Sequence, residues 1–243
     1  MPSILITGGT RGIGLALGAA FLKGGWKLTT CYHQDDASAE AARREYSLLS
    51  LDFQIIKCDV SREKPVEELV QATVQKWGGL DCAIHNAGAT WNARIPNVEE
   101  LQWEDTLGVH LKGAFLVSRA CLKPMIKKKS GHILLVSSIV ASTGNIGQAS
   151  YTAAKAGVLG LMRSMAREYG GRNIRCNAVF PGFHKTRLAD GLSSEAEENI
   201  RKKHLLDSTA DLGEVTQFVF WLAGTQSISG QVFNLDSRIP GWI

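Results

Sequence analysis

Short apolar runs of strand-like composition alternate with longer helical stretches along this 243-residue chain, and that alternation limits the folds open to it. The strand-like runs are SILIT at 3–7, KLTTCY at 27–32, FQIIKCD at 53–59, DCAIHN at 81–86, HILLVSS at 132–138, IRCNAVF at 174–180 and QVFNL at 231–235. Helical patterns lie between them, near 13–24, 36–49, 62–77, 99–129, 150–169 and 211–223. Alternation of this kind belongs to βαβ units around a parallel sheet with both faces covered. It predicts an α/β fold, a Rossmann-type doubly wound parallel sheet of about seven strands flanked by helices on both faces. There is no internal repeat, low-complexity tract or Pro/Gly/Ser linker, so residues 1–243 are expected to form a single domain.

Composition narrows the function classes. Hydrophobic residues make up 44% and charged residues 21%, an ordinary globular balance. The net charge of +4 permits an acidic partner. No basic stripe interleaved with aromatics appears, so nucleic acid is not an expected partner. Five cysteines, Cys31, Cys58, Cys82, Cys121 and Cys176, stand far apart without a C-x-x-C, which suits buried thiols in a reducing compartment and no metal site. The opening MPSILITGG has neither the basic lead nor the long apolar core of a signal peptide, and no run approaches membrane-spanning length. A cytoplasmic protein is expected.

Chemistry-bearing residues gather where the strands end. The first strand runs into TGGTRGIG, and Gly8, Gly12 and Gly14 permit a tight turn whose amides approach a phosphate at a helix N-terminus. The spacing is G-x-x-x-G-x-G rather than G-x-G-x-x-G. Asn86–Gly88 ends the fourth strand, Ser138 the fifth and Pro181–Phe183 the sixth. Each alone could be a turn or a cap. A parallel sheet would collect them on one rim. Residues 184–210 follow that rim and are the most polar and irregular stretch, either a substrate lid or a solvated helical excursion. In YTAAK, Tyr151 and Lys155 lie four apart in a helix-favouring stretch and so share one face.

Taken in order, T-G-x-x-x-G-x-G, N-A-G, Ser, Y-x-x-x-K and P-G resemble the classical short-chain dehydrogenase/reductase family over essentially the whole chain. The segments TGGTRGIG, GHILLVSS, SYTAAKAGVLGLMRSMARE and NAVFPGF are most similar to the 3-oxoacyl-[acyl-carrier-protein] reductases. The resemblance implies that Tyr151 protonates the forming alkoxide, that Ser138 bonds the substrate oxygen, and that Lys155 holds the nicotinamide ribose. On this reading Lys155 also lowers the phenol pKa from its ordinary value near ~10. It implies dinucleotide contacts at Gly8, Thr10, Arg11, Gly12, Ile13, Gly14, Tyr32, Asp59, Val60, Asn86, Ala87, Gly88, Tyr151, Lys155, Pro181, Gly182 and Thr186. Arg11 sits where related NADP enzymes keep a basic residue, and Tyr32 occupies the position of the acid an NAD enzyme uses, so NADP(H) is preferred over NAD(H). Asp35 and Asp36 come slightly late for that role.

The chain departs from the family at three places. His110, in GVHLKGAF, replaces the usual asparagine of the catalytic relay; the C-terminal D-G-G is absent; and LLDSTADLGEV replaces the usual Pro and Arg before the last long helix. His110 is expected either to join the relay, with activity falling on the acid side as it gains a proton, or simply to pack. Lys129 and Arg172 occupy positions that greet an acidic acyl carrier protein in the resembling enzymes, although cations also suit helix C-termini. Gly113, Ala114, Gly157 and Gly160 allow close helix approach, and the resemblance implies that these helices pair between subunits in a homotetramer. The function expected is NADPH-dependent reduction of a 3-oxoacyl thioester. Reduction or oxidation of another small ketone or alcohol (a sugar, a steroid or a polyketide intermediate) stands beside it, as does a catalytically weak dinucleotide-binding scaffold.

Overall fold

The computed structural model describes residues 1–89, 91–184, 194–206 and 208–240. Its strands are β1 (Ser3–Thr7), β2 (Lys27–Tyr32), β3 (Phe53–Lys57), β4 (Cys82–His85), β5 (Gly131–Val136), β6 (Ile174–Phe180) and β7 (Val232–Asn234). All pair in parallel in the order β3-β2-β1-β4-β5-β6-β7. Chain direction across the sheet reverses between β1 and β4, which opens a crevice at their carboxyl ends. The seven expected strands are all present, with several ends trimmed.

Side-chain alternation along the strands divides the core in two. Ile4, Ile6, Leu28, Ile84, Leu134 and Val179 face α1 (Gly12–Lys23), α2 (Asp36–Ser47) and, late in the chain, a helix at Leu212–Gly224. Leu5, Cys31, Ala83, Ile133, Leu135, Cys176 and Phe180 face the other way. They pack on α3 (Glu63–Trp77) and on two further helices, Gly113–Lys128 and Ala149–Tyr169. The five cysteines are buried free thiols.

One expected helix is broken. The stretch near 99–129 consists of α4 (Glu100–Leu107), a π-helical turn (Gly108–Lys112) and α5 (Gly113–Lys128). Apolar periodicity continues through a π-turn, which adds a single residue, so periodicity alone does not reveal it. One short element is absent from the expected pattern, α6 (Val140–Thr143); α7 (Ala149–Tyr169) and α9 (Leu212–Gly224) follow it, and α8 (Ser194–Arg201) falls where a helical excursion is one of the two expectations. Within 184–210, α8 is described, whereas Thr186 lies outside the described residues.

The small residues expected to serve subunit packing are mostly used inside the chain. Ala114 is fully buried in the core, a Cβ on Gly113 would lie 3.2 Å from His85 and Val60, and one on Gly157 would lie 2.9 Å from Leu111. Only Gly160 of the four is exposed, with open space around it. Their smallness answers to close helix–strand and helix–helix approach within one protomer.

Tyr46 of α2 supports the turn after β1. Its hydroxyl donates to the Gly9 carbonyl at 2.6 Å and lies 3.2 Å from the Leu15 carbonyl, in a fully buried position. Tyr46→Phe is expected to cost about 1–2 kcal/mol, because the buried Gly9 carbonyl loses its donor. Urea denaturation checks it: the midpoint should fall with unchanged slope, and an unmoved midpoint would show that the hydroxyl does not support the turn.

Candidate active site

The rim begins at the β1–α1 turn. Gly8 has φ +67°, and a Cβ on Gly14 would stand 2.2 Å from the Gly8 carbonyl, so this turn can form only with glycine at these positions. Arg11, the N-cap of α1, makes no side-chain cap bond. The first amides of the helix thus take no acceptor from the Arg11 side chain, and they carry the positive end of the helix dipole. Across the crevice, Asn86 Nδ2 donates to the carbonyls of Thr7 (3.2 Å) and Gly8 (3.1 Å), fixing the Asn86–Gly88 loop against the turn. A glycine cradle with open amides fits the diphosphate of a dinucleotide.

At the end of β2, Arg11 pairs with Asp35 at 3.1 Å. Asp35 also caps α2, accepting from the Ser38 amide at 2.9 Å. Tyr32 bonds Asp36, which holds Lys57 at 3.2 Å, and the bond to Asp36 pushes the phenol pKa up. Asp59 accepts from the amide and hydroxyl of Ser61 at 3.0 and 2.6 Å. Thr10 and Val60 are buried beside this edge, and Ile13 is half-buried. On the far side of the rim, Gly182 turns at φ +89°, and the Pro181 carbonyl lies 2.7 Å from His184 Nε2.

The first turns of α7 carry Tyr151 and Lys155. Lys155 is 3% exposed; its ammonium donates to the Val136 carbonyl at 2.7 Å and lies 5.6 Å from the Tyr151 ring centre. Ser137 Oγ donates to the Lys155 carbonyl at 2.9 Å and anchors this stretch of helix to the end of β5. Burial lowers the Lys155 pKa to about 7. Burial raises that of Tyr151, opposed by a hydrogen bond with Ser138. The expected depression of the phenol by Lys155 is therefore not found. A lysine that has lost its proton near neutrality carries no charge at the pH where a phenol of this kind ionises. The Lys155 charge must be held by an added hydrogen-bond acceptor before it can act on Tyr151.

His110 packs edge-on against Tyr151, with ring centres 5.0 Å apart and planes at 88°. Its Nε2 lies 2.5 Å from the Ala89 carbonyl oxygen and 3.2 Å from the Ala89 amide nitrogen, and buried Nδ1 has no partner among the described residues. Burial first, then the Lys155 charge, holds its pKa well below the ordinary value. Burial moves His110 protonation to more acid pH than the sequence alone suggests, and Lys155 is the group that changes charge near neutrality.

Four supporting residues escape the sequence reading: Thr7, Tyr46, His85 and Ser137. Thr7 and Ser137 hold backbone groups at strand ends, work that residue type alone does not announce. His85 precedes Asn86 directly, so its place beside that motif is the available signal. Lys129 and Arg172 lie elsewhere. They precede Gly131 and Ile174, which pair at the amino ends of β5 and β6, the edge opposite the rim. Among the described residues no group of three or more His, Cys, Asp or Glu is placed to hold a metal. No described helix is long and apolar enough to cross a membrane.

A family model described as "Enoyl-(Acyl carrier protein) reductase" matches residues 8–237. The chain is 33% identical over 236 residues to the 3-oxoacyl-[acyl-carrier-protein] reductase FabG of Staphylococcus aureus, covering 96% of each chain. It belongs to the short-chain dehydrogenase/reductase family. The corresponding FabG of Thermotoga maritima is 34% identical, over 97% of this chain and 96% of its own. Among solved structures, a single-substitution variant of the actinorhodin polyketide ketoreductase with NADPH matches with a TM-score of 0.90 at 25% identity, over 97% of this chain and 96% of that one. A short-chain type dehydrogenase/reductase from Mycobacterium ulcerans shares the fold, with a TM-score of 0.92 at 24% identity over 97% and 88% of the two chains. The chain is an NAD(P)-dependent oxidoreductase of the short-chain dehydrogenase/reductase type, and the rim is its candidate active site.

The buried lysine has a stability signature. Its folded pKa of about 7 lies below the unfolded value of 10.5, so the folded state bears the full cost of burying charge below pH 7. That cost fades as pH rises toward 10.5, because the folded lysine is then neutral. Lys155→Met is expected to be more stable than the parent at pH 6 by roughly 1–3 kcal/mol, with the gap narrowing by pH 9. Melting curves at the two pH values check this, and a gap independent of pH would contradict it.

Proposed function

We propose that this protein reduces the ketone of a 3-oxoacyl thioester, carried on an acyl carrier protein, to the 3-hydroxyacyl product with NADPH. The observation that carries the reading is the Ser138–Tyr151–Lys155 cluster beside the glycine cradle, buried at Lys155 and half-buried at Ser138 and Tyr151, in a chain alike over nearly its full length to enzymes named for that reaction. The nicotinamide supplies the hydride when it is bound. Ser138 bonds the ketone oxygen and orients it toward the Tyr151 hydroxyl. Tyr151 gives its proton to that oxygen as negative charge develops there. Lys155, held charged by an acceptor at its free hydrogens, stabilises the phenolate left behind. His110 sits beside the proton path rather than in it: its Nε2 meets only the backbone of Ala89, and its buried Nδ1 has no partner among the described residues. At the mouth, the 91–93 and 145–148 loops are zipped by Ala93 N–H to the Gly147 carbonyl at 3.0 Å. They present exposed Trp91 and Ile146, an apolar edge suited to an acyl chain. A polyketide ketone is the second reading, favoured by the likeness to the actinorhodin ketoreductase.

Arg11 supports NADPH over NADH: its guanidinium stands at the end of β2, where a ribose phosphate could replace Asp35 as its partner. Carrier docking at Lys129 and Arg172 carries a geometric condition. Tyr151 starts α7 and Arg172 follows its far end, so the two are separated by about 30 Å at 1.5 Å per residue. On this reading a carrier bound at that pair serves the site of a neighbouring copy, which requires the homotetramer that the resemblance implies.

Two substitutions test the reading with acetoacetyl thioesters, a polyketide-like diketide and free ketones. Tyr151→Phe should lower kcat by about 10²–10⁴-fold while NADPH binding persists; near-normal turnover removes Tyr151 from its role. Arg11→Ala should lower kcat/KM for NADPH by roughly tenfold and leave NADH nearly unchanged. Equal losses with both cofactors would show that Arg11 does not meet the phosphate, and preference for the diketide over every simple thioester would favour the second reading.

A further inference from the structure

His85 ends β4, and its ring is 2% exposed between β1 and the π-turn. Both ring nitrogens are engaged. Nδ1 lies 3.2 Å from Thr7 Oγ1, and Nε2 lies 3.2 Å from the Val109 carbonyl oxygen. The donors around Thr7 assign the tautomer. Its hydroxyl oxygen already accepts from the Asn86 and Ala87 amides, both at 3.1 Å, so its own hydrogen is directed to Nδ1. Nε2 therefore carries the ring hydrogen and donates it to Val109. Burial, with the Lys155 charge adding to it, keeps the ring neutral, with a pKa of about 3.

The Val109 carbonyl requires such a donor. In an α-helix it would accept from the Gly113 amide, but in this turn Gly113 donates to the Gly108 carbonyl. A part-buried carbonyl released in this way gains from another partner, and His85 supplies one. His110 lies inside the same turn, and the turn aims it at Tyr151 and the Ala89 carbonyl. If the His85 bond is lost, the segment can relax toward ordinary α-helical pairing. The added residue then moves out of register and His110 rotates away from Tyr151. Gly113 belongs to the arrangement, since a Cβ there would come within 3.2 Å of His85 Cε1.

We propose that His85 is a positioning residue for the carbonyl reduction: its imidazole ties the β1–β4 crevice, through Thr7, to the π-turn that sets His110 against Tyr151. The inference rests on Tyr151 as proton donor and is independent of which ketone is reduced.

The test compares the parent with His85→Phe, which keeps a ring in place and removes both bonds. Amide hydrogen exchange over residues 107–114 needs no substrate. It should quicken by about tenfold or more in His85→Phe and stay at the parent rate in Tyr151→Phe. Turnover is taken on whichever ketone of the panel the parent reduces best. There kcat should fall by about tenfold, with KM and the NADPH dissociation constant within about threefold. In a His110→Ala background, His85→Phe should cost little further, because the two changes break one arrangement. Unchanged exchange over 107–114, or losses that multiply independently in the double variant, would overturn the proposal. Should His85→Phe not fold, His85→Asn replaces it. Its side chain is too short to bridge Thr7 and Val109, so faster exchange supports the proposal and parent-like exchange overturns it. A parent that reduces only non-thioester ketones refutes the acyl substrate and leaves this comparison intact.

Discussion

Burying one ammonium group sets the terms for the rest of the candidate active site. Lys155 has left water for a pocket in which it donates to the Val136 carbonyl at 2.7 Å. A charge so poorly compensated is costly, and the folded protein relieves the cost by letting the proton go near neutrality. This makes the lysine responsive. Any acceptor that enters beside it restores its charge, and a restored charge 5.6 Å from the Tyr151 ring lowers the phenol's cost of ionising. A lysine exposed to solvent would keep its charge permanently, and water would screen it from the phenol. The burial that looks unfavourable for the lysine alone is what lets its state depend on the contents of the crevice.

The sheet makes that burial possible. Seven parallel strands, covered on both faces, place Val136 and Ser137 at the end of β5, where they grip α7 at the Lys155 side chain and carbonyl. The same topology puts Thr7 and Asn86 on adjacent strand ends, so one threonine hydroxyl can serve two amides and a histidine. Hydrogen bonds of this kind add little each, yet every one satisfies a buried group that would otherwise cost more. The candidate active site is accordingly held by strand-end backbone groups set by the register of the sheet.

Much of this is legible in the sequence, and what is not has a physical reason. The strands and most helices are visible because apolar runs of fixed length leave few alternatives. Ser138, Tyr151 and the glycine turn are visible because an ordered set of motifs is far more specific than any member. The charge state of Lys155 is hidden: spacing along a helix shows that two side chains share a face, but not how dry that face is. The neutrality of His110 is hidden for the same cause, since it comes from burial and from a lysine 45 positions later in the chain. The π-turn is hidden because one additional residue scarcely alters a pattern of apolar positions. The small residues of α5 and α7 suggest subunit contacts, yet three of the four are used within the protomer, a distinction only packing can draw.

The proposed preference for NADPH shows how far charge type alone can carry such an argument. Arg11 does not wait without a partner, because Asp35 already holds it at 3.1 Å and also caps α2. The Arg11 side chain is 48% exposed, and a pair in that setting contributes little to stability. Releasing it therefore costs little, while a phosphate offers the same guanidinium more negative charge and a matching fork of oxygens. Discrimination is the difference between those two pairings, less whatever repulsion Asp35 then exerts on the phosphate. The acidic residue just beyond β2 thus opposes the proposed preference, while it holds Arg11 beside the end of β2. Two carboxylates that arrive too late in the chain to grip a ribose diol, Asp35 and Asp36, serve instead to orient Arg11, Tyr32 and Lys57 around that position.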